Sequence, residues 1–409
     1  MLSKFYNKRN INILAYLYLF FSFILVFYFS FKTVLHHHSY SQIFINYSEG
    51  FIKNAFLGEI IFTLKSLTNL DFKLLINFIF LIFHFLNIFL FLKIIRPVLN
   101  YNKIIYIFLV LNPALILFSI YDIGAFLRKE VIIITAFLFH IYISQLYNYD
   151  LLDKKKYNKY TIYILIPFIF INSLIHSIQI LFLPVHFFIF KKNFNKEYDK
   201  KDLLFVSVLL ILFISHFFLY QLVSGHSLYE ATIKRLGNFN NEFNISDAPY
   251  LFLTMGITDR FYANLPFLKD LNFVTLYVIS AFIIFIPLTF MLKKINTFDN
   301  KFNLVFILFS IFPFVLLMFL ASDWGRWIYI IAMIILGIKL QFKIKSISNF
   351  DYSILIKVAL FSVIGFYIFF YNLSHCCIKN LFFYGMNQNF QLLGNLIFDN
   401  LKIIEHIKY

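Results

Sequence analysis

The chain has 409 residues, of which 61% are hydrophobic and 14% charged, with a formal net charge of +16. Soluble domains carry about 45–50% apolar and about 25% charged residues, so a water-soluble globule of this composition could not hide its apolar surface. The cysteines are two neighbours, Cys376 and Cys377, with no C-x-x-C or histidine-rich ligand pattern, so no disulfide framework, zinc site or other cofactor is expected.

A helix crossing the roughly 30 Å hydrocarbon layer needs about 20 apolar residues. The first such run, 11–31, follows Lys4, Lys8 and Arg9. It is too long for a signal-peptide core and lacks a small-residue cleavage site, so it reads as a retained signal-anchor span. Further spans are predicted near 72–92, 104–121, 126–147, 160–174, 176–190, 203–222, 271–292, 302–320, 327–341 and 352–372. The expected fold is an all-α polytopic membrane bundle of about eleven transmembrane helices, forming one domain over 1–409. Three longer segments, 32–71, 223–270 and 373–409, lie outside the membrane. Within the first, 51–67 has near-helical amphipathic spacing and reads as an interfacial helix. Residues 160–190 are too many for one upright helix and few for two. Asn172, Ser173, His176, Ser177 and Gln179 interrupt the middle, with Pro167 and Pro184 on either side, which fits a tight hairpin with a polar tip.

With that hairpin, the loops at 1–10, 93–103, 148–159, 191–202, 293–301 and 339–351 fall on one side. Together with Lys357 they hold 22 Lys/Arg against 7 Asp/Glu, whereas the opposite side holds 14 against 13. The positive-inside rule puts the first set, and the N-terminus, in the cytoplasm. The net charge is thereby a topology signal and calls for no nucleic-acid partner.

The informative charges are those that topology does not require, because an ionisable group at membrane depth is costly and marks a site. Asp122, Arg128, Lys129 and Glu130 stand at the outer junction of the third and fourth spans, and Asp323 and Arg326 at that of the ninth and tenth. Glu49 and Lys53 lie in the first outer segment, His176 at the hairpin tip, and Lys234, Arg235, Asp259 and Arg260 in 223–270. Outer arginines occur only at 128, 235, 260 and 326 in a chain otherwise rich in lysine, and the guanidinium fork suits bidentate phosphate binding. Asp122-x-Gly124 and Asp323-x-Gly325 suit a loop entering a helix, whose free N–H groups add to an anion site. The bland alternatives are ion pairs fixing helix ends (Asp122–Arg128 and Asp323–Arg326), a Glu49–Lys53 pair and a packing role for His176. Trp324 and Trp327 read as interfacial anchors.

The span layout, the Asp122-x-Gly124-x(3)-Arg128-Lys129-Glu130 segment and the Asp323-Trp324-Gly325-Arg326-Trp327 segment resemble O-antigen and related exopolysaccharide polymerases. That family often runs Asp-Gly-Arg-Lys-Asp/Glu, whereas here Ala125, Phe126 and Leu127 separate Gly124 from Arg128. The resemblance implies a bacterial inner-membrane enzyme joining polyprenyl-diphosphate-linked oligosaccharide repeat units outside the cytoplasm, with a chain-length regulator as a further partner. On that reading Arg128 and Arg326, assisted by Lys53 or Arg260, stabilise the departing diphosphate. Glu49, Asp323 and His176, in that order, are the candidate general bases. The rival expectations are a multi-span lipid-linked-sugar glycosyltransferase using Glu49 or Asp71, a lipid-linked oligosaccharide flippase, and an acyltransferase. A flippase would carry charges within its spans, and here the span interiors are nearly charge-free.

Overall fold

The computed structural model describes residues 8–32, 37–121, 123–193, 224–239, 245–297 and 304–347, with 204, 207–208, 211, 362–365 and 373. These residues are predominantly α-helical and include a two-stranded ribbon. Helix α1 (Lys8–Lys32) carries the first apolar run, and the short α2 (His37–Ile43) and α3 (Phe56–Thr68) follow it. The long α4 (Phe72–Tyr101) starts at Asp71, whose Oδ1 accepts the N–H groups of Lys73 (2.7 Å) and Leu74 (3.2 Å). Three short helices, α5 (Lys103–Leu111), α6 (Phe118–Tyr121) and α7 (Ile123–Phe126), lead to α8 (Glu130–Asn148).

Helix α9 (Lys154–Ile175) contains a π-helical turn at Thr161–Leu165. Pro167 lies just beyond it and has no N–H to offer the Tyr163 carbonyl, so the preceding turn widens around the ring. After α10 (Gln179–Asn193) come α11 (Gly225–Gly237), α12 (Ala248–Thr254), α13 (Ile257–Lys269) and α14 (Leu271–Lys294). The last described elements are β1 (Ile295–Thr297), α15 (Leu304–Leu320), α16 (Trp324–Leu340) and β2 (Ile344–Ile347).

Among the described residues, four helices are long and apolar enough to cross a membrane: α4, α8, α9 and α14. Helix α8 is apolar and buried on nearly every side, as a helix at the centre of a bundle must be. It packs against α4, α9, α10 and α16. Helices α14 and α15 instead leave Phe282, Ile286, Phe309 and Phe312 more than half exposed. Apolar bands of that kind are compatible with lipid around the bundle.

Long-range contacts sort the helix termini into two ends. At one end Lys8 Nζ reaches Asn100 O (2.8 Å), Gln145 Nε2 reaches Ile94 O and Leu340 O (both 2.9 Å), and Asn148 Nδ2 reaches Gln341 O (3.0 Å). The antiparallel β1–β2 ribbon lies there too, tied through Ile344 to the hydroxyls of Tyr101 (3.1 Å) and Tyr149 (3.0 Å). This end carries the lysine-rich loops. The opposite end gathers the N-termini of α8 and α16, the α9–α10 turn and the segments around α2, α3 and α11.

A neutral polar network runs inside the α8–α9–α10 interface. His140 Nδ1 and His186 Nδ1 are 2.9 Å apart, so one carries the hydrogen and the other accepts it. His140 Nε2 meets the Tyr157 hydroxyl (3.3 Å), and Asn193 Nδ2 donates to Tyr157 Oη (2.9 Å) and Ser144 Oγ (2.7 Å). On α10 the polar positions 179, 186 and 193 recur every seven residues, which puts them on one face.

The structure departs from the predicted span at 104–121. Helix α5 ends at Leu111, and the chain continues through turns to α6. Pro113 disfavours helix at Asn112, whose side chain instead accepts the Ala114 N–H (2.9 Å). Residues 112–120 are buried, where irregular backbone is tolerated because protein surrounds it. Residues 160–190 form two helices, α9 and α10, joined at 176–178. Helix α3 turns Leu57, Gly58, Ile61 and Phe62 into the protein, so the amphipathic 51–67 segment has its apolar face on the bundle. Apart from the scattered positions named above, the spans predicted near 203–222 and 352–372 and the tail 373–409 lie outside the described residues, as does Asp122.

Candidate functional site

The cluster at the end opposite the lysine-rich loops starts from two helices that run in the same direction. Glu130 lies in the first turn of α8 and Arg326 in the first turn of α16. Gly337 lets these helices approach: a Cβ there would come within 2.6 Å of Phe137 Cζ and 3.1 Å of the Ile141 side chain. Gly337 is eleven residues, close to three turns, beyond Arg326, so both face α8. Phe137 is seven residues beyond Glu130 and shares its face. The close seam thus ends in an ion pair, with Arg326 Nη1 donating to Glu130 Oε1 at 2.5 Å.

Arg326 also donates through Nη2 to Asp323 Oδ2 (2.6 Å). A cation in the first turn of a helix sits at the unfavourable end of its dipole, so the two carboxylates are what hold it there. Glu130 is at the favourable end of α8. His176 comes from the α9–α10 turn, with its Nε2 3.3 Å from Glu130 Oε1. Its Nδ1 faces the Ile178 N–H at 3.3 Å. Glu130 Oε2 and Arg326 Nε are buried and have no hydrogen-bond partner among the described residues.

Asn54 ties these parts together. It adopts a left-handed backbone (φ 65°), which asparagine tolerates better than most residues. Its carbonyl accepts from Lys129 Nζ (2.6 Å), and its side-chain oxygen accepts from Ser177 N (2.8 Å). Arg128 is buried, donates from Nη1 to Gln42 Oε1 (2.9 Å), and lies near enough for its charge to act on Glu130. Lys53, next to Asn54, is partly buried. Burial lowers its pKa, and the Arg260 guanidinium nearby lowers it further. Burial lowers the pKa of Arg260 as well.

Of the sequence-predicted residues, Arg128, Arg326, Asp323 and His176 therefore come together, with Lys53 and Arg260 as a neighbouring pair of cations. Glu49 stands apart. It is exposed in a turn and makes no ion pair among the described residues, with Lys53 or any other cation. The bland Asp323–Arg326 pair does form, yet it is one half of a larger cluster. Sequence reasoning singles out Glu130 without giving it a role, although it is the centre of the cluster. Trp327 departs from its predicted place as an interfacial anchor: it is buried, with the Arg326 guanidinium 4.3 Å from its ring. Trp324 donates to Met318 O (2.7 Å) and packs against Phe273 and Tyr277 of α14.

A second outer contact closes over this end. Arg235 of α11 grips Glu59 of α3 bidentately (2.7 and 2.8 Å), with Nη1 also reaching Asn46 Oδ1 (3.1 Å). The hydrogen bond from Arg235 holds the Glu59 carboxyl below its ordinary pKa, against the effect of burial. The Arg235 guanidinium also lies over the Phe62 ring (4.3 Å).

Comparison with protein-family models, with curated proteins and with solved structures returns no match.

Proposed function

We propose that the chain is an integral membrane enzyme of about eleven spans with a cytoplasmic N-terminus. On this reading it polymerises polyprenyl-diphosphate-linked oligosaccharide units on the extracytoplasmic face of a bacterial inner membrane. The observation that carries the reading is the cluster of buried Glu130 and Arg326 with partly buried Asp323 and His176, flanked by Arg128, Lys129, Lys53 and Arg260, at the end opposite the lysine-rich loops. Ionised groups buried at the rim of an apolar bundle are costly and are retained for chemistry.

In the reaction an acceptor sugar hydroxyl gives its proton to a base, and its oxygen attacks the anomeric carbon of the donor chain. The bond from that carbon to the diphosphate oxygen breaks, and the electron pair leaves with the lipid diphosphate. The geometry favours His176 as base over Glu49. An Nε2–H held by Glu130 leaves Nδ1 as the basic nitrogen once it exchanges the long hydrogen bond it accepts from Ile178 N (3.3 Å) for the acceptor hydroxyl, an arrangement in which the carboxylate sets the tautomer and steadies the imidazolium. Asp323 is engaged by Arg326 and supports the cluster. The flanking cations stabilise the charge that builds on the departing diphosphate. A chain-length regulator is a partner that this reading includes.

The test is gene deletion in the native host, with surface polysaccharide resolved on a gel. Loss of the ladder with a single-repeat band retained supports the polymerase. Loss of every repeat-bearing band points to an earlier glycosyltransferase or flippase step, and an unchanged ladder overturns the glycan reading. Complementation with His176→Gln is expected to leave single-repeat product, whereas Glu49→Gln is expected to restore the ladder.

A further inference from the structure

The base assigned above sits on a turn that its own helices do not fully fix. His176 caps α9 in an extended conformation (φ −155°, ψ 127°), with its N–H on the Asn172 carbonyl (2.8 Å). Its own carbonyl accepts from Gln179 N (3.1 Å) at the start of α10. The next N–H, that of Ser177, leaves the turn and donates to Asn54 Oδ1 (2.8 Å), a contact across 123 residues. Asn54 also holds the other side of the His176–Glu130 pair. Its main-chain carbonyl accepts from the Lys129 ammonium (2.6 Å), and Lys129 adjoins Glu130, whose Oε1 is 3.3 Å from His176 Nε2. One residue thus joins the two segments that carry the pair, one through its side chain and the other through its main chain.

A residue that positions others must itself be held. Ile52 and Ala55, close on either side of Asn54, are buried. Gly58 seats α3 against the 43–45 backbone so closely that a Cβ there would overlap the Ile45 carbonyl oxygen. The left-handed backbone at Asn54 (φ 65°) is one that glycine, and less often asparagine and aspartate, adopt. Of the three, asparagine alone supplies a side-chain acceptor without adding charge. The contact matters because His176 depends on Glu130. Burial lowers the His176 pKa, Lys129 and Arg326 lower it further, and the Glu130 carboxylate opposes them. Displacing the turn by about 1 Å would break a contact that is already 3.3 Å long.

We propose that Asn54 is a positioning residue of this site, whose amide oxygen holds the α9–α10 turn where His176 Nε2 stays against Glu130. The proposal deepens the reading above and rests on it for the effect on rate. The effect on the His176 hydrogen bond is independent of it.

The experiment uses the full chain, labelled with nitrogen-15 at histidine, in nanodiscs. The Nε2–H signal of His176 is identified by its absence from His176→Gln, and is expected to exchange slowly with solvent because Glu130 holds it. Asn54→Gly keeps the left-handed backbone and the carbonyl that takes Lys129, and removes only the amide. It is expected to speed that exchange roughly tenfold or more, the loss of one hydrogen bond. With lipid-linked repeat units extracted from the deletion strain, its initial rate of polymerisation is expected to fall roughly tenfold or more. Asn54→Asp restores the acceptor and is expected to return both the slow exchange and most of the rate. Slow exchange persisting in Asn54→Gly overturns the proposal, as does fast exchange that Asn54→Asp fails to reverse. Fast exchange in Asn54→Gly with an unchanged rate overturns the role in the reaction. Loss and return of slow exchange in a protein whose wild type joins no repeat units supports the positioning role and overturns the polymerase reading alone.

Discussion

The Glu130–Arg326 cluster and the His140–His186–Tyr157 network both involve α8, α10 or the turn joining α9 to α10, and both are buried. One is made of charges and the other of neutral donors and acceptors. The neutral network nearly closes on itself, with His186 Nε2 its one atom lacking a partner among the described residues. Such networks hold helices together where apolar surface gives no preference for one register over another. The charged cluster leaves both a carboxylate oxygen and a guanidinium nitrogen unpaired among the described residues. Apolar packing would often be as stable as a buried ion pair, so stability alone does not explain its presence. The contrast separates a fastening from a site by what each leaves unsatisfied and at what electrostatic cost.

The largest effect that would sharpen this contrast is expected from Arg326→Leu, which strands the Glu130 carboxylate in the bundle. A loss of about 3–5 kcal/mol is expected in detergent melting, with part of it recovered in Arg326→Leu/Glu130→Gln. If both variants melt like the wild type, the cluster has no energetic coupling and the comparison collapses. His186→Leu leaves His140 Nδ1 without its partner, and about 1–3 kcal/mol of lost stability is expected. His140→Phe/His186→Leu removes the demand along with the supply and is expected to melt closer to wild type. A double variant that is stable but inactive would show that the imidazole pair does more than fasten helices.

The smallest effect concerns the Glu59–Arg235 grip, where both side chains are about a third exposed (31% and 27%). Because Arg235 depresses the Glu59 pKa, the contribution is full above the ordinary carboxylate range and is lost as pH falls through the lowered value. Solvent screening keeps it to about 1 kcal/mol or less. Acid is expected to loosen α11, and limited proteolysis near Gly225–Gly237 between neutral and acidic pH reads this directly. Glu59→Gln should show the loosened pattern at every pH, and a wild-type pattern from that variant would dismiss the grip.

Sequence periodicity and charge placement reach the helices α4, α8 and α14 and the break at 176–178, because apolar length and polar interruptions are local properties. They also bring out Asp323 with Arg326, which are neighbours on one helical turn. The pairing of Arg326 with Glu130 joins positions 196 residues apart and has no local signature. His140 and His186 escape sequence reasoning, though their signal is present: polar side chains at helical intervals inside otherwise apolar runs. Trp327 misleads because tryptophan beside charge suggests an interface, whereas the tight α8–α16 seam draws it inward. Pro113 is visible as well, and its power to end α5 is masked by the apolar run around it.

That early end of α5 bears on how the chain is made. Nine helical residues rise only about 14 Å, half the thickness of a bilayer, and the turns beyond them expose backbone groups lipid cannot satisfy. During synthesis this stretch would leave the translocation machinery as a poor insertion substrate, able to settle fully only once α16 emerges, because Phe118 stacks on Tyr329 of that helix (4.7 Å). Reporters fused after Tyr121 should therefore give mixed sidedness, whereas reporters fused after Leu340 should give one. A single orientation from the earlier fusion would mean that the broken segment inserts without help from α16.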